Sequence, residues 1–221
     1  MIKALIFDFD GLILDTETPE FHVWQAIYRE HGHELPAEKW ASIVGGSGLS
    51  DFDAAKNLSL LTEGRLDSAS LSDRFHLQSG ELIHTLAPLP GVVDYLTEAK
   101  RLGLKLAIAS SSTRAWVEPH ARRIGVYHFF DHVVTREDVG PGRTKPNPDL
   151  FLTALDRLGV PKESAIVFED SPNGVKAARQ AGIFVVAVPN ELTSMLSLDY
   201  ANLILSSLSD MSLPALLDKV K

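Results

Sequence analysis

Short, mostly apolar runs recur along this chain, and three of them stop at side chains suited to chemistry. Ala4-Leu5-Ile6-Phe7 runs into Asp8 and Asp10, Leu104–Ala109 into Ser110-Ser111-Ser112-Thr113, and Ala165–Phe168 into Glu169-Asp170. Runs that are apolar on both faces predict strands of a covered parallel sheet rather than a half-wet antiparallel one. A strand is therefore expected over 3–9, and period-2 geometry puts Asp8 and Asp10 on one side if it persists that far. Further strands are predicted over 130–134 and 183–188, with a weaker one near 202–205.

The segments between these runs carry helical spacing and stop at glycine: 92–102 before Gly103, 114–124 before Gly125, the helix to Leu158 before Gly159, and 172–181 before Gly182. A last helix starts near Ser212. Alternation of this kind predicts an α/β fold, a doubly wound, mainly parallel Rossmann-like sheet. One stretch breaks the rhythm. From Thr16 the spacing of Phe21, Trp24, Ile27 and Tyr28 is helical, Pro36 opens a second helical stretch with Trp40, Ile43 and Val44, and Gly45-Gly46-Ser47-Gly48 forms a loop. No strand is evident before Pro88-Leu89-Pro90-Gly91, a hinge back into the sheet. The predicted organisation is a core of 1–15 and 88–221 with an all-helical cap of 16–87.

Composition narrows the function. A net charge of −8 over 221 residues argues against nucleic acid and anionic membranes as partners. The absence of cysteine excludes thiolate metal sites and Cys nucleophiles. Neither a signal-peptide core nor a bilayer-length apolar stretch is evident, so a cytoplasmic protein is expected. No oligomeric state is fixed by the sequence, and a monomer is compatible with it.

In a parallel sheet the strand ends Asp8 and Asp10, Ser110, and Glu169 and Asp170 share one edge, where such folds bind ligands, and the loop carrying Lys145 follows another strand. Each residue has a plainer reading. Ser110 alone suits a helix cap, Lys145 a solvated loop, and Glu169 and Asp170 the start of the helix at Pro172. Capping does not account for their shared position. Asp8, Asp10, Glu169 and Asp170 ionise together only around a cation, and an all-oxygen set suits Mg²⁺ beside a phosphate. Ser110 and Lys145 would hold the phosphoryl group, which makes phosphoryl transfer the reaction these parts serve.

Asp8-Phe9-Asp10-Gly11 with Asp15-Thr16-Glu17, then Ser110, Lys145-Pro146 and Glu169-Asp170, resemble in order the four motifs of the haloacid dehalogenase superfamily. The helical insertion resembles the cap of the subgroup containing β-phosphoglucomutase and phosphoglycolate phosphatase. The resemblance implies that Asp8 attacks phosphorus to form an aspartyl-phosphate. It implies that Asp10 protonates the leaving alcohol and then takes a proton from water. Mg²⁺ would be held by Asp8, Asp170 and the Asp10 carbonyl, with Glu169 close by. A phosphomonoesterase acting on a small phosphorylated metabolite, a sugar phosphate, is the expected function. Substrate contacts are expected from Thr16, Glu17, Glu20, Gly46, Ser47, Ser110, Ser111, Lys145 and Asn147, with Gly45 and Leu49 as further cap candidates and Trp24 assigned to core. A phosphoglucomutase-like enzyme is the alternative, but that branch carries a His where Glu20 stands and a cap-loop arginine absent here. Arg74 is the remaining candidate for a second phosphate anchor. A non-catalytic metal- or phosphate-binding module is the alternative of another class.

Overall fold

The computed structural model describes residues 1–36, 39–40, 43 and 52–220. Among them, six parallel strands lie in the order β3-β2-β1-β4-β5-β6: β1 Ala4–Phe7, β2 Lys105–Ala109, β3 His132–Val134, β4 Ala165–Glu169, β5 Phe184–Ala187 and β6 Leu203–Ile204. β1 lies in the middle, in register with β2 through Leu5 opposite Leu106 and with β4 through Leu5 opposite Ile166. The chain builds β2 and β3 to one side of β1 and β4 to β6 to the other, so the crevice between the two sets opens at the strand ends of β1.

β1 is buried on both faces because helices cover both. Leu5 and Phe7 face one core, with Ile108, Ile166 and Phe168; Ala4 and Ile6 face the other, with Val167, Phe151 and Val185. Phe7 stacks on Phe168 with ring centroids 4.7 Å apart. Burying side chains of this size contributes about 1.5–3 kcal/mol each, which fixes the strand that carries Asp8.

The expected strand over 3–9 is shorter than the apolar run suggests. It ends at Phe7, and Phe9 instead turns the chain, its carbonyl accepting from Ile13 and Leu14. Asp8 and Asp10 thus do not share a side by strand periodicity. The 130–134 strand is trimmed to His132–Val134, preceded by a 3₁₀ turn over Tyr127–Phe129.

The insertion carries α1 Glu17–Glu30, α2 Ala54–Leu61 and α3 Ser68–Thr85. Asp15 accepts the Thr18 N–H at the start of α1, and Gly32, at φ +77°, allows the left-handed turn that ends it. Asp53 and Asp67 cap α2 and α3 in the same way. Trp24, Ile27 and Tyr28 form a separate core with Leu58, Leu71 and Phe75, and Trp24 stacks on Phe75 at 4.7 Å, the core place the sequence assigned it. The candidates Gly45, Gly46, Ser47 and Leu49 lie outside the described residues, as does Val44 of the helix expected after Pro36. The chain returns beside its point of departure: Leu89 N–H donates to the Ile13 carbonyl at 2.9 Å. Among the described residues no helix is long and apolar enough to cross a membrane.

Candidate active site

β1 and β4 end side by side and deliver Asp8, Glu169 and Asp170 to one place. All three are at most 5% exposed. The loop after β3 brings Lys145, 2% exposed, whose Nζ lies 2.5 Å from Asp8 Oδ1 and 2.6 Å from Glu169 Oε1. The Lys145–Pro146 peptide is cis. Asn147 is exposed and donates its amide to the Gly142 and Thr144 carbonyls, so it folds the loop that presents Lys145.

Glu169 is anchored by its own turn: Oε2 accepts from the Asp170 and Ser171 N–H groups and from Ser171 Oγ. Ser171, rather than Glu169 or Asp170, caps the helix Pro172–Gln180. A Cβ at Gly174 would overlap the Glu169 carboxylate, and one at Gly11 would overlap that of Asp170. Both carboxylates therefore sit against bare backbone.

Burial pushes Asp8 up to about 8; Lys145 opposes this, while Glu169 and Asp10 add to it. Burial would lower Lys145, but Asp8 and Glu169 outweigh it and hold the ammonium above its ordinary value. Asp170 is raised well above the usual carboxylate range, by burial and then by Glu17, Glu169 and Asp8. Such a cluster lacks positive charge. Asp8, Glu169 and Asp170 each present an oxygen within 4.8 Å of the others, and Asp170 Oδ1 is buried without a hydrogen-bond partner. An orphaned carboxylate oxygen in an all-oxygen donor set fits a hard divalent cation.

The resemblance gives Asp10 to the cation through its backbone carbonyl; the Asp10 carboxylate is not one of these three. Its oxygens accept from Thr16 Oγ1 at 3.0 Å, Trp116 Nε1 at 2.8 Å, Ser112 Oγ at 2.6 Å and Ser110 Oγ at 3.3 Å. Ser110 is 1% exposed and also accepts the Ser112 N–H, while the helix Arg114–Arg123 starts at Thr113, so Ser110 is not its cap. Ser111 Oγ is buried without a partner.

A crevice of about 420 Å³ opens beside Asp10, lined by Thr16, Glu17, Glu20, Ser112, Trp116 and Arg136 among others. Burial, and then Asp10, raise Glu20 to about 8. Glu17 is raised well above the usual carboxylate range, by burial and then by Asp10, and accepts from Asn190 Nδ2 at 3.3 Å. That amide also donates to Asp170 Oδ2 at 2.9 Å and to the Gly11 carbonyl at 3.3 Å. Asn190, Ser112 and Trp116 were not anticipated. The strand-end rule finds Asn190 when applied to β5, and Ser112 stands in the polar run after β2; nothing in the sequence marks Trp116.

An aspartate paired with lysine at the central strand end, roofed by a helical insertion, defines a class of α/β enzymes that hold anionic ligands at the sheet edge. A family model described as haloacid dehalogenase-like hydrolase matches residues 5–188, and the chain belongs to that family. YhcW of Bacillus subtilis (strain 168) is 41% identical over 219 residues, covering 99% of this chain and 97% of that protein. The phosphorylated carbohydrates phosphatase of Thermotoga maritima is 32% identical over 186 residues, 82% of each chain. A crystal structure of a family hydrolase from Deinococcus radiodurans with bound phosphate and sodium superposes with a TM-score of 0.77 at 26% identity, covering 99% of this chain and 96% of that one. The chain is an enzyme of the phosphatase kind within this family.

Proposed function

We propose that this chain hydrolyses a small phosphorylated metabolite, a sugar phosphate, with Mg²⁺, through an aspartyl-phosphate on Asp8. Residues 1–15 and 88–221 serve as the catalytic core and 16–87 as the cap. The observation that carries the reading is the buried Asp8 carboxylate, 2.5 Å from Lys145 Nζ and grouped with the unpartnered Asp170 Oδ1.

Asp8 is the nucleophile, its charge favoured by Lys145. Lys145 and the hydroxyls of Ser110 and Ser111 receive the phosphoryl oxygens as negative charge builds on them. Asp10 stands beyond the pair, held by Thr16, Ser112 and Trp116, where it serves as proton donor to the leaving oxygen. Asp8 and Asp170 would hold the Mg²⁺, with Glu169 bracing Lys145; when bound, the ion neutralises charge on the phosphoryl group. Glu17 and Glu20 face the crevice that receives the rest of the substrate, and carboxylates there suit hydroxyl-rich molecules. The phosphorylated-carbohydrate activity of the Thermotoga relative supports that choice. Arg74 pairs in a bidentate manner with Glu30, at 2.6 and 2.7 Å, which favours hydrolysis over a mutase that must anchor a second phosphate in the cap.

The test is phosphate release from p-nitrophenyl phosphate and a panel of sugar phosphates, with Mg²⁺ and with EDTA. Wild type is expected to be active only with the metal, and Asp8→Asn to lose about 10⁴-fold or more in kcat with its circular dichroism retained. An inactive wild type under several metals would favour a binding module. Glu20→Ala is expected to reorder kcat/KM across the sugar phosphates; an unchanged ranking removes Glu20 from substrate selection.

A further inference from the structure

The two oxygens of Asp10 have different company. Oδ1 accepts from the Trp116 indole N–H at 2.8 Å and from Thr16 Oγ1 at 3.0 Å; Oδ2 accepts from Ser112 Oγ at 2.6 Å and Ser110 Oγ at 3.3 Å. A hydroxyl can reverse, donating at one moment and accepting at the next, whereas an indole N–H only donates. A proton on Oδ1 would point one donor at another and cost the Trp116 bond. Oδ2 has only reversible neighbours. Trp116 stands in the first turn of the helix Arg114–Arg123, its ring centroid 4.4 Å from that of His120, and it lines the crevice beside Asp10.

We infer that Trp116 is a positioning residue for proton transfer, holding Asp10 Oδ1 as an acceptor so that the proton is carried and delivered by Oδ2. The inference rests on the reading of Asp10 as proton donor. In the first half-reaction an Asp8 oxygen bonds to phosphorus as the bond from phosphorus to the leaving oxygen breaks. The electron pair stays on that oxygen, which takes the Oδ2 proton, leaving an alcohol and an ionised Asp10. In the second, water bonds to phosphorus through its oxygen and gives a proton to Oδ2. The bond between Asp8 and phosphorus breaks, and phosphate departs with Asp10 protonated again.

Leaving-group dependence tests this, because an alkoxide needs a proton to depart and p-nitrophenolate hardly does. Trp116→Phe keeps an aromatic ring, smaller than the indole, and removes the donor. Its kcat/KM, which reads only the steps through departure of the leaving group, is expected to fall about ten- to thirtyfold on a sugar phosphate or glycerol phosphate, against about threefold or less on p-nitrophenyl phosphate. Replacing Trp116 by benzothienylalanine, of nearly the same shape but without the N–H, is expected to give the same split even if the Phe variant folds poorly. Equal losses on both substrates would overturn the inference. Asp10→Asn separates the levels. A larger loss on the alkyl substrates upholds Asp10 as donor whatever Trp116 does, and no leaving-group dependence in that variant brings down both.

Discussion

Asp8, buried, and Glu20, half-buried at the crevice, are both carboxylates that desolvation pushes up to about 8, yet their surroundings differ. Asp8 stands at the end of the central strand with an ammonium 2.5 Å away and two further acids ready to share a cation. Glu20 projects from a helix of the insertion, and the charge acting on it is the repelling one of Asp10. On the sheet side, Lys145 offsets part of the desolvation, and the rest is left to a cation shared by the acids. On the helical side desolvation is left open, to be relieved by a proton or by the hydroxyls of a substrate. The contrast suggests a division of labour, with bond-making at the strand ends and selection on the roof above them.

Removing the sheet side's compensation should have the largest effect. Lys145→Met would leave Asp8 and Glu169 without their cation, and stability measured by denaturant in EDTA is expected to drop by about 3–5 kcal/mol. Excess Mg²⁺ should recover part of that loss; a variant as stable as wild type in EDTA would show that the pair contributes no net stability. Next in size is the metal itself. Saturating Mg²⁺, about a hundredfold over its Kd, is expected to stabilise wild type by about 2.7 kcal/mol, read as a rise in Tm, and to do little for Asp170→Asn. The smallest effect probes the other wall. The folded Glu20 carboxyl binds its proton more tightly than the unfolded one, so wild type loses stability as pH rises from the ordinary value of 4.5 toward 8. Glu20→Gln lacks the titrating carboxyl, and in EDTA its stability relative to wild type is expected to grow across this window by on the order of 1 kcal/mol. A difference that stays flat would mean Glu20 is well solvated.

The sheet was legible because β1, β2, β4 and β5 are nearly continuous apolar runs, a pattern that only a doubly covered sheet requires. The grouping of side chains was legible where they follow those runs directly, at Asp8, Ser110, Glu169 and Asp170. Other features depend on tertiary contact. The four-residue helix Arg136–Val139 is too short for any periodicity, and the hold of Trp116 on Asp10 spans 106 positions. Asp10 reaches the crevice by a route other than strand periodicity. The strand stops before reaching it, and its placement comes from the turn at Phe9 and from four donors in other segments. Asn147, expected as a substrate contact, donates its amide to the Gly142 and Thr144 carbonyls of its own loop, a role that nothing in the sequence marks.

The hydrogen bond between Leu89 and Ile13 has a consequence for how such a molecule can diversify. Because outgoing and incoming backbone touch at that point, whatever hangs between them imposes no separation on the sheet. A longer, shorter or wholly different inserted piece could be spliced in there without disturbing the strand that bears Asp8. New substrates could then be sampled by swapping a module while the reaction centre stays as it is.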